Sequence, residues 1–461
     1  MRNILLVEPD YRSKFPPLGL LKIATYHKGR GDSVSFVRGK DELLRSLHWH
    51  RIYVASLFTW ELPRTVKTIK YYASSVASPE HIIVGGVGAT LLPDYIRKNA
   101  SCSVIEGPLD KRGLLGANSP PIAEMVPDYG ILDTVEYDYQ PRDAYFLRIT
   151  KGCIRSCKFC AVPKLESEFG YLTQVEKQVK GVNRLYGERQ NLVVLDNNIL
   201  AIDGIEERIA DIRKMGFECG AKRNGRGRYV DFNQGLDARL ISEKPDLARH
   251  LASICLSPVR LAFDFASAKM EKSYRKAIEL LAGQGFHEFT NYMLFNFNDS
   301  PKDFYHRLFV NADLNRNLGV RISGFPMRFV PMSSVKRGFV SDKWRWRYLR
   351  GIQCVLLATH GLVSPNPDFI RAAFGDNYEE FLEILSMPDR YIIHREHHRN
   401  DGARSWTRSF RKLSDSGKAE FLDALEVLNR SRNKPTDIAA QPRRYKSLFE
   451  HYYPDGRVFR E

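Results

Sequence analysis

Ile149-Thr150-Lys151-Gly152-Cys153-Ile154-Arg155-Ser156-Cys157-Lys158-Phe159-Cys160 is the stretch on which the reading of this chain turns. It sets three cysteines in a C-x3-C-x2-C run directly after an apolar, strand-like segment. Three thiolates on one short loop can converge on a cubane iron–sulfur cluster, and a four-iron cluster held by three cysteines leaves one iron without a protein ligand. Such an iron is open to a substrate. Structural zinc wants four ligands, but the next cysteine after Cys160 is Cys219 and no histidine lies between them. A redox pair of Cys157 and Cys160 leaves Cys153 unexplained. The iron–sulfur reading therefore comes first, with Cys153, Cys157 and Cys160 as the metal ligands.

The bulk properties set the frame. At 461 residues and 43% hydrophobic content, the chain can bury more than one core, and about two to four domains are expected. The apolar run at the N-terminus is too short and too quickly acidic for a signal peptide, and no stretch reaches the roughly 18 apolar residues of a membrane span. A cytoplasmic location and no membrane partner are the expectation. Cys102, Cys219, Cys255 and Cys354 are scattered, unlike a disulfide framework, and are expected to be buried thiols. A net charge of +16 and a pI near 9.4 favour anionic partners such as nucleic acid, with solvated lysine and arginine as the plainer explanation.

Outward from the cysteines, the expected fold class is α/β: a Rossmann-like N-terminal domain, then a partial (β/α)6 TIM-type barrel, then a helical C-terminal extension. In residues 1–110 short apolar strands (Asn3–Val7, Ser33–Val37, Arg51–Ser56, His81–Gly85) alternate with helical segments (Leu18–Lys28, Pro63–Ala77, Leu91–Lys98), the pattern of an open parallel sheet covered by helices. Gly85-Gly86-Val87-Gly88 follows its last strand, where backbone N–H groups can meet a ligand or where the chain only turns. Residues 111–143, rich in proline, glycine and acidic side chains, read as a linker packing along both neighbours. Residues 144–335 hold six strand-like runs with helical segments between them: Tyr145–Thr150, Leu192–Leu195, Val230–Asn233, Arg260–Phe265, Phe289–Phe295 and Val320–Phe325. Barrel chemistry sits at strand C-termini, and the cysteine loop follows the first of these strands.

Residues 336–461 read as the basic helical extension, with helices over Trp344–Thr359, Phe369–Leu385 and Lys418–Asn429. Its His394-Arg395-Glu396-His397-His398 cluster reads as a polar helix end, or as a metal-binding face. The run Lys222-Arg223-Asn224-Gly225-Arg226-Gly227-Arg228 is expected to be a flexible basic loop, either solvated on the barrel's far rim or clamping phosphates.

With Phe159 just before its last cysteine, the loop resembles the cluster motif of the radical S-adenosylmethionine superfamily, and the strand–helix repeats after it suit that resemblance. The resemblance implies a [4Fe-4S] cluster whose open iron chelates S-adenosyl-L-methionine, and reductive cleavage of that molecule to a 5′-deoxyadenosyl radical. It also implies a one-electron reductant such as ferredoxin or flavodoxin. The superfamily holds the nucleoside at strand ends, so Phe159, Asp196, Asn197, Asn198, Gln234, Asp237 and Asp264 become candidate cofactor-binding residues, with Arg239 facing the same cavity. Plain turns, helix caps and an Arg260–Asp264 pair are the competing explanations. Asp299-Ser300-Pro301 reads as a helix start.

Pro17-Leu18-Gly19-Leu20 and Val84-Gly85-Gly86 resemble the cobalamin-binding-type domain fused to many of these enzymes. The D-x-H-x-x-G signature is absent: the chain reads Glu8-Pro9-Asp10-Tyr11-Arg12, with no histidine before His27. Either cobalamin binds without a protein histidine or the domain has lost it. The methylthiotransferase branch is disfavoured, because the N-terminal domain supplies only Cys102. The expected activity is radical modification of an unactivated C–H site, with cobalamin-assisted methylation as one form. The alternatives are cobalamin-free radical modification of RNA and a non-enzymatic, metal-stabilised nucleic-acid-binding protein.

Overall fold

The computed structural model describes residues 1–393, 401–430 and 442–452; the His394–His398 cluster lies outside the described residues. By internal contacts the chain forms two compact units, residues 1–260 with 330–339 and residues 261–329 with 340–461. No helix among the described residues is long and apolar enough to cross a membrane.

The first unit opens with strands β1 (Asn3–Glu8), β2 (Ser33–Arg38), β3 (Arg51–Ser56), β4 (Ile82–Gly86) and β5 (Ser103–Val104). They pair all-parallel in the order β2-β1-β3-β4-β5, the doubly wound arrangement that alternating strands and helices predict. β1 is buried from Ile4 onward, as expected of a strand covered on both faces. The helix Leu18–Lys28 falls where the periodicity puts it, while the helix expected from Leu91 starts two residues later, at Pro93, in the N1 position that suits proline.

The linker is lashed to this sheet. Asp128 takes the Lys28 ammonium at 2.6 Å and the Tyr186 hydroxyl at 2.7 Å, and so ties the first helix to the helix Val175–Tyr186. Tyr139 donates to the buried Glu8 carboxylate at the end of β1, and Arg38 lies 3.4 Å from the same carboxylate while stacking on Tyr137.

A second parallel sheet follows in the same unit. Its strands are β6 (Ala144–Leu147), β9 (Asn191–Val194) and β12 (Val230–Phe232), in the order β12-β9-β6. Two small hairpins interrupt it: β7 (Thr150–Lys151) with β8 (Gly170–Tyr171), and β10 (Lys222–Arg223) with β11 (Arg226–Gly227). The second hairpin corrects the reading of the basic run as a flexible loop. Asn224 and Gly225 both have positive φ at its tip, the turn chemistry of a two-residue hairpin. Two of the run's arginines are engaged too, Arg228 on Glu188 at 2.7 Å and stacked on Phe217, and Arg223 within 3.5 Å of Asp143 and Glu188.

β13 (Val259–Ala262) runs across the division between the units, and the second unit continues with β14 (Glu288–Phe295) and β15 (Arg321–Arg328), in the order β13-β14-β15. All six strands read from the sequence are therefore present, each of the first five followed by helix, and the class is α/β as expected. The helix Pro301–Leu318 opens with a capping box of Ser300 and Asp303 and with Pro301 in its first turn. The helices after residue 340 share one core with this helix and β14, through Phe304, Trp344, Phe374 and Phe381. The single helix expected over Phe369–Leu385 is two, Pro367–Phe374 and Tyr378–Ser386. Gly375, at φ 84° and against the Glu380 side chain and the Phe381 backbone nitrogen, breaks it.

Arg307, wholly buried, holds the strand ends of the second unit together. It donates to the Phe263 and Leu294 carbonyls at 2.9 and 2.8 Å and to Asp299 at 2.8 Å. Replacing it by leucine strands a buried carboxylate and two carbonyls. Arg307→Leu is expected to cost about 3–5 kcal/mol, read as a lower melting temperature by circular dichroism. Burial pushes Glu8 up to about 7 from 4.5, against the pull of the Tyr139 hydroxyl and Arg38. Stability linked to Glu8 is thus whole below about pH 4.5 and drains away as the pH rises through 7. Between those pH values the wild type should lose roughly 3 kcal/mol relative to Glu8→Gln in urea titrations, and parallel curves for the two proteins would refute this.

Candidate functional site

The cysteine loop leaves β6 and is held at its entry by two carboxylates whose side chains are largely buried. Parallel strands need their N–H groups satisfied where pairing stops. Here the Asp196 carboxylate, just beyond β9, takes the Ile149 and Thr150 N–H groups at 2.8 and 2.6 Å and the Thr150 hydroxyl at 2.7 Å. Burial raises Asp196 to about 6, with the Thr150 and Ile149 donors and Arg148 pulling the other way. Three of its roughly four lone-pair positions are spent on the chain itself, so Asp196 supports the loop.

Glu166 does the corresponding work on the far side. It binds Arg148 through both oxygens, at 2.5 and 2.7 Å, and accepts the Gly152 N–H at 2.6 Å and the Asn197 amide at 3.1 Å. Burial opposes its charge, but the Arg148 guanidinium and the Gly152 N–H win and hold it below the usual carboxylate range. Neither Arg148 nor Glu166 was singled out from the sequence. The available signal was a charged residue inside the apolar run Tyr145–Ile149, which must be paired wherever the strand is buried.

Gly152 is required for its lack of a side chain. Its φ is +72°, and a Cβ there would lie 2.2 Å from the Glu168 carbonyl oxygen. The loop then presents Cys153, Cys157 and Cys160, all half-buried and none in a disulfide. Backbone N–H groups of Arg155 and Val162 point at the Cys153 and Cys160 sulfurs, at 3.3 and 3.5 Å. Among the described residues no group of three or more His, Cys, Asp and Glu side chains is gathered for a single metal ion. A cubane asks for something different, because each cysteine then binds its own iron and the sulfurs stand apart across the cluster.

Asn198 supplies the test of fit. It is buried, its Nδ2 lies 3.5 Å from the Cys153 sulfur, and its Oδ1 is buried without a hydrogen-bond partner. An orphaned acceptor beside a cysteine loop suits a bound group that donates to it. The donor set and this unmet acceptor fit a thiolate-held cluster with a polar ligand on it.

The other expected residues fall in different places. Phe159 is half-buried in the loop and Asn197 is on Glu166. Asp237 accepts from Arg155 and Arg239. Gln234 is exposed, 3.5 Å from the Asn233 side chain. Asp264, in the second unit, accepts the Leu294 N–H at 3.1 Å. Arg260 gives its guanidinium to Asp231 at 2.6 and 2.9 Å. Of the scattered cysteines only Cys354 is fully buried, and Cys219 is exposed.

In the N-terminal domain, Gly86 at φ +103° has no room for a Cβ, because the Ser56 carbonyl oxygen would lie 2.4 Å from it. The glycine run thus serves close packing of β4 on β3. His27 engages Asp32 at 2.7 Å and the Tyr53 hydroxyl at 3.0 Å through its two ring nitrogens, leaving neither for cobalt. The domain's other histidines, His48, His50 and His81, do not stand in a D-x-H-x-x-G sequence.

No family model matches the chain. Among curated proteins it is similar to the ribosomal protein uS12 methylthiotransferase RimO of Stenotrophomonas maltophilia strain K279a, 29% identical over 127 residues, 24% of this chain. The same enzyme of Xanthomonas campestris pv. campestris strain 8004 is 28% identical over 132 residues. The chain spans about a quarter of the length of these relatives. Among solved structures, the radical S-adenosylmethionine methyltransferase TsrM from Kitasatospora setae, with cobalamin and a [4Fe-4S] cluster bound, matches at a TM-score of 0.50 and 14% identity, over 71% of this chain and 75% of that one. The cobalamin-dependent S-adenosylmethionine radical enzyme OxsB matches at 0.49 and 13% identity, over 98% and 75%. The likeness to TsrM is one of fold: a parallel-sheet α/β domain followed by further strand–helix units, with the cysteine loop after the first strand of those units.

Gly152→Ala should sharply reduce the iron and sulfide retained after anaerobic reconstitution. Gly170→Ala, at a position with open space for a Cβ and an ordinary backbone, should retain both. Equal retention in the two variants would contradict the account of the loop.

Proposed function

We propose that this chain modifies an unactivated C–H position of its substrate by radical chemistry, with methyl transfer as the favoured form. The observation that carries the reading is the orphaned Asn198 acceptor beside the Cys153 sulfur, next to a loop whose entry is fastened by Asp196 and Glu166. Cys153, Cys157 and Cys160 would hold a [4Fe-4S] cluster, which when bound supplies the electron that opens the C–S bond of S-adenosylmethionine. The chain's residues do the rest. Asp196 and Glu166 keep the loop in place, Gly152 lets it turn, and Asn198 orients a donor of the bound nucleoside or its amino acid end. Phe159, Asn197 and Gln234 stand with Asn198 as proposed cofactor-binding residues, while Asp237, like Asp196, spends its oxygens on the protein.

The proposed domain division is 1–110, 111–143, 144–335 and 336–461. Cobalamin, if taken by the first of these, binds without a histidine, and no step is assigned to it. The reductant is a one-electron protein donor such as ferredoxin or flavodoxin, and the proposed location is the cytoplasm. The net charge of +16 favours an anionic substrate such as RNA as the second reading.

Anaerobic incubation with S-adenosylmethionine and reductant, with and without hydroxocobalamin, tests the reading. Formation of 5′-deoxyadenosine is the expected result, and S-adenosylhomocysteine rising with it only when cobalamin is supplied marks methyl transfer. About one zinc and no acid-labile sulfide in the purified protein would sink the radical reading.

A further inference from the structure

Asp237 is the third buried carboxylate of the site, and it binds two guanidiniums. Its oxygens accept from Arg155 Nε at 3.0 Å, from Arg239 Nε and Nη2 at 2.7 and 3.0 Å, and from the Arg239 backbone N–H at 3.1 Å. Asn198 Nδ2 lies 3.5 Å from the same carboxylate as well as from Cys153. These contacts saturate the carboxylate and leave it little capacity for a ligand.

One carboxylate cannot neutralise two guanidiniums, so a positive charge is left over. Its location is set by the loop. Arg155 lies within the C-x3-C spacing, with its own N–H on the Cys153 sulfur. The guanidinium of Arg239 sits on the same carboxylate that Asn198 Nδ2 approaches at 3.5 Å, and Asn198 Nδ2 in turn lies 3.5 Å from the Cys153 sulfur. Both arginine side chains are about 30% exposed and Asp237 is 5% exposed, so water screens the charge only in part.

We propose that the Arg155–Asp237–Arg239 clamp seats the cysteine loop against the end of β12 and sets the electron affinity of the cluster that the loop holds. The inference rests on the cluster reading above and adds a role for residues that need not touch S-adenosylmethionine. Reduction takes one electron from a low-potential donor, which is oxidised by one electron; the cluster passes from the 2+ to the 1+ core, and no protein bond changes. Each thiolate adds negative charge, so the reduced state gains more than the oxidised state from a nearby cation. Net charge and hydrogen bonds to sulfur are among the levers that set such potentials. Arg155 and Arg239 are positioning residues in this scheme, acting on the couple from beside the thiolates.

A redox titration followed by electron paramagnetic resonance, on the full chain reconstituted anaerobically with iron and sulfide, reads the effect directly. Arg239→Gln is expected to move the midpoint potential to a more negative value at unchanged iron and sulfide content, and Arg239→Lys to stay near the wild-type value. Arg155→Gln provides an independent second variant, expected to shift in the same direction, and it decides the matter if Arg239→Gln fails to hold the cluster. A glutamine variant that holds a full cluster and titrates at the wild-type midpoint overturns the proposal. So does Arg239→Lys shifting as far as Arg239→Gln, because charge is then not the cause. A wild-type protein that binds no iron and sulfide overturns the cluster reading itself, which separates the two failures.

Discussion

The site depends on a carboxylate placed where a strand stops. β6 ends at Leu147, and beyond it the N–H groups of Ile149 and Thr150 donate to a side chain. Asp196 satisfies both, and in doing so fastens the cysteine loop to the end of β9. Glu166 catches the loop again at Gly152. The two carboxylates shift in opposite directions for a simple reason. Asp196 is almost wholly buried and hydrogen-bonded mainly by neutral donors, so desolvation wins and its pKa rises to about 6. Glu166 has the Arg148 guanidinium on both oxygens, and the ion pair outweighs its burial.

The N-terminal domain shows what a fold-level likeness leaves open. Its strand order is that of a nucleotide- or cobalamin-type sheet. Yet groups in this domain are occupied by the chain itself: at the strand ends Glu8 by Tyr139 and Arg38 and the space at Gly86 by Ser56, and on the first helix both nitrogens of His27 by Asp32 and Tyr53. Function is carried by sites, and this domain lacks the D-x-H-x-x-G histidine that one kind of cobalamin site uses.

Much of the architecture was legible in the sequence because it rests on local pattern. The all-apolar strand runs, the alternating helices and the Ser300-Pro301 helix start are signals carried within a few residues, and each is met. The basic run Lys222–Arg228 misled because glycine beside arginine suggests mobility. Asn224-Gly225 is instead hairpin chemistry, and the acidic partners, Glu188 and Asp143, lie tens of residues away. The candidates at strand ends were similarly mixed. Asn198 meets the cysteine loop, whereas Asp196 and Asp237 spend their oxygens on the protein, a distinction that requires knowing who their partners are.

By itself the sequence determined the chemistry of the site. Three thiols at C-x3-C-x2-C spacing, with no fourth ligand nearby, are a property of the covalent chain, and so is the alternation that builds parallel sheets. The tertiary structure decided how that chemistry is held and charged. Residues 148, 152, 155, 166, 196, 237 and 239 come from several segments, and their pairing follows from strand ends meeting in space. Burial then gives each pairing its weight, because a carboxylate that would be a mere cap in water becomes, out of water, the support on which the loop hangs.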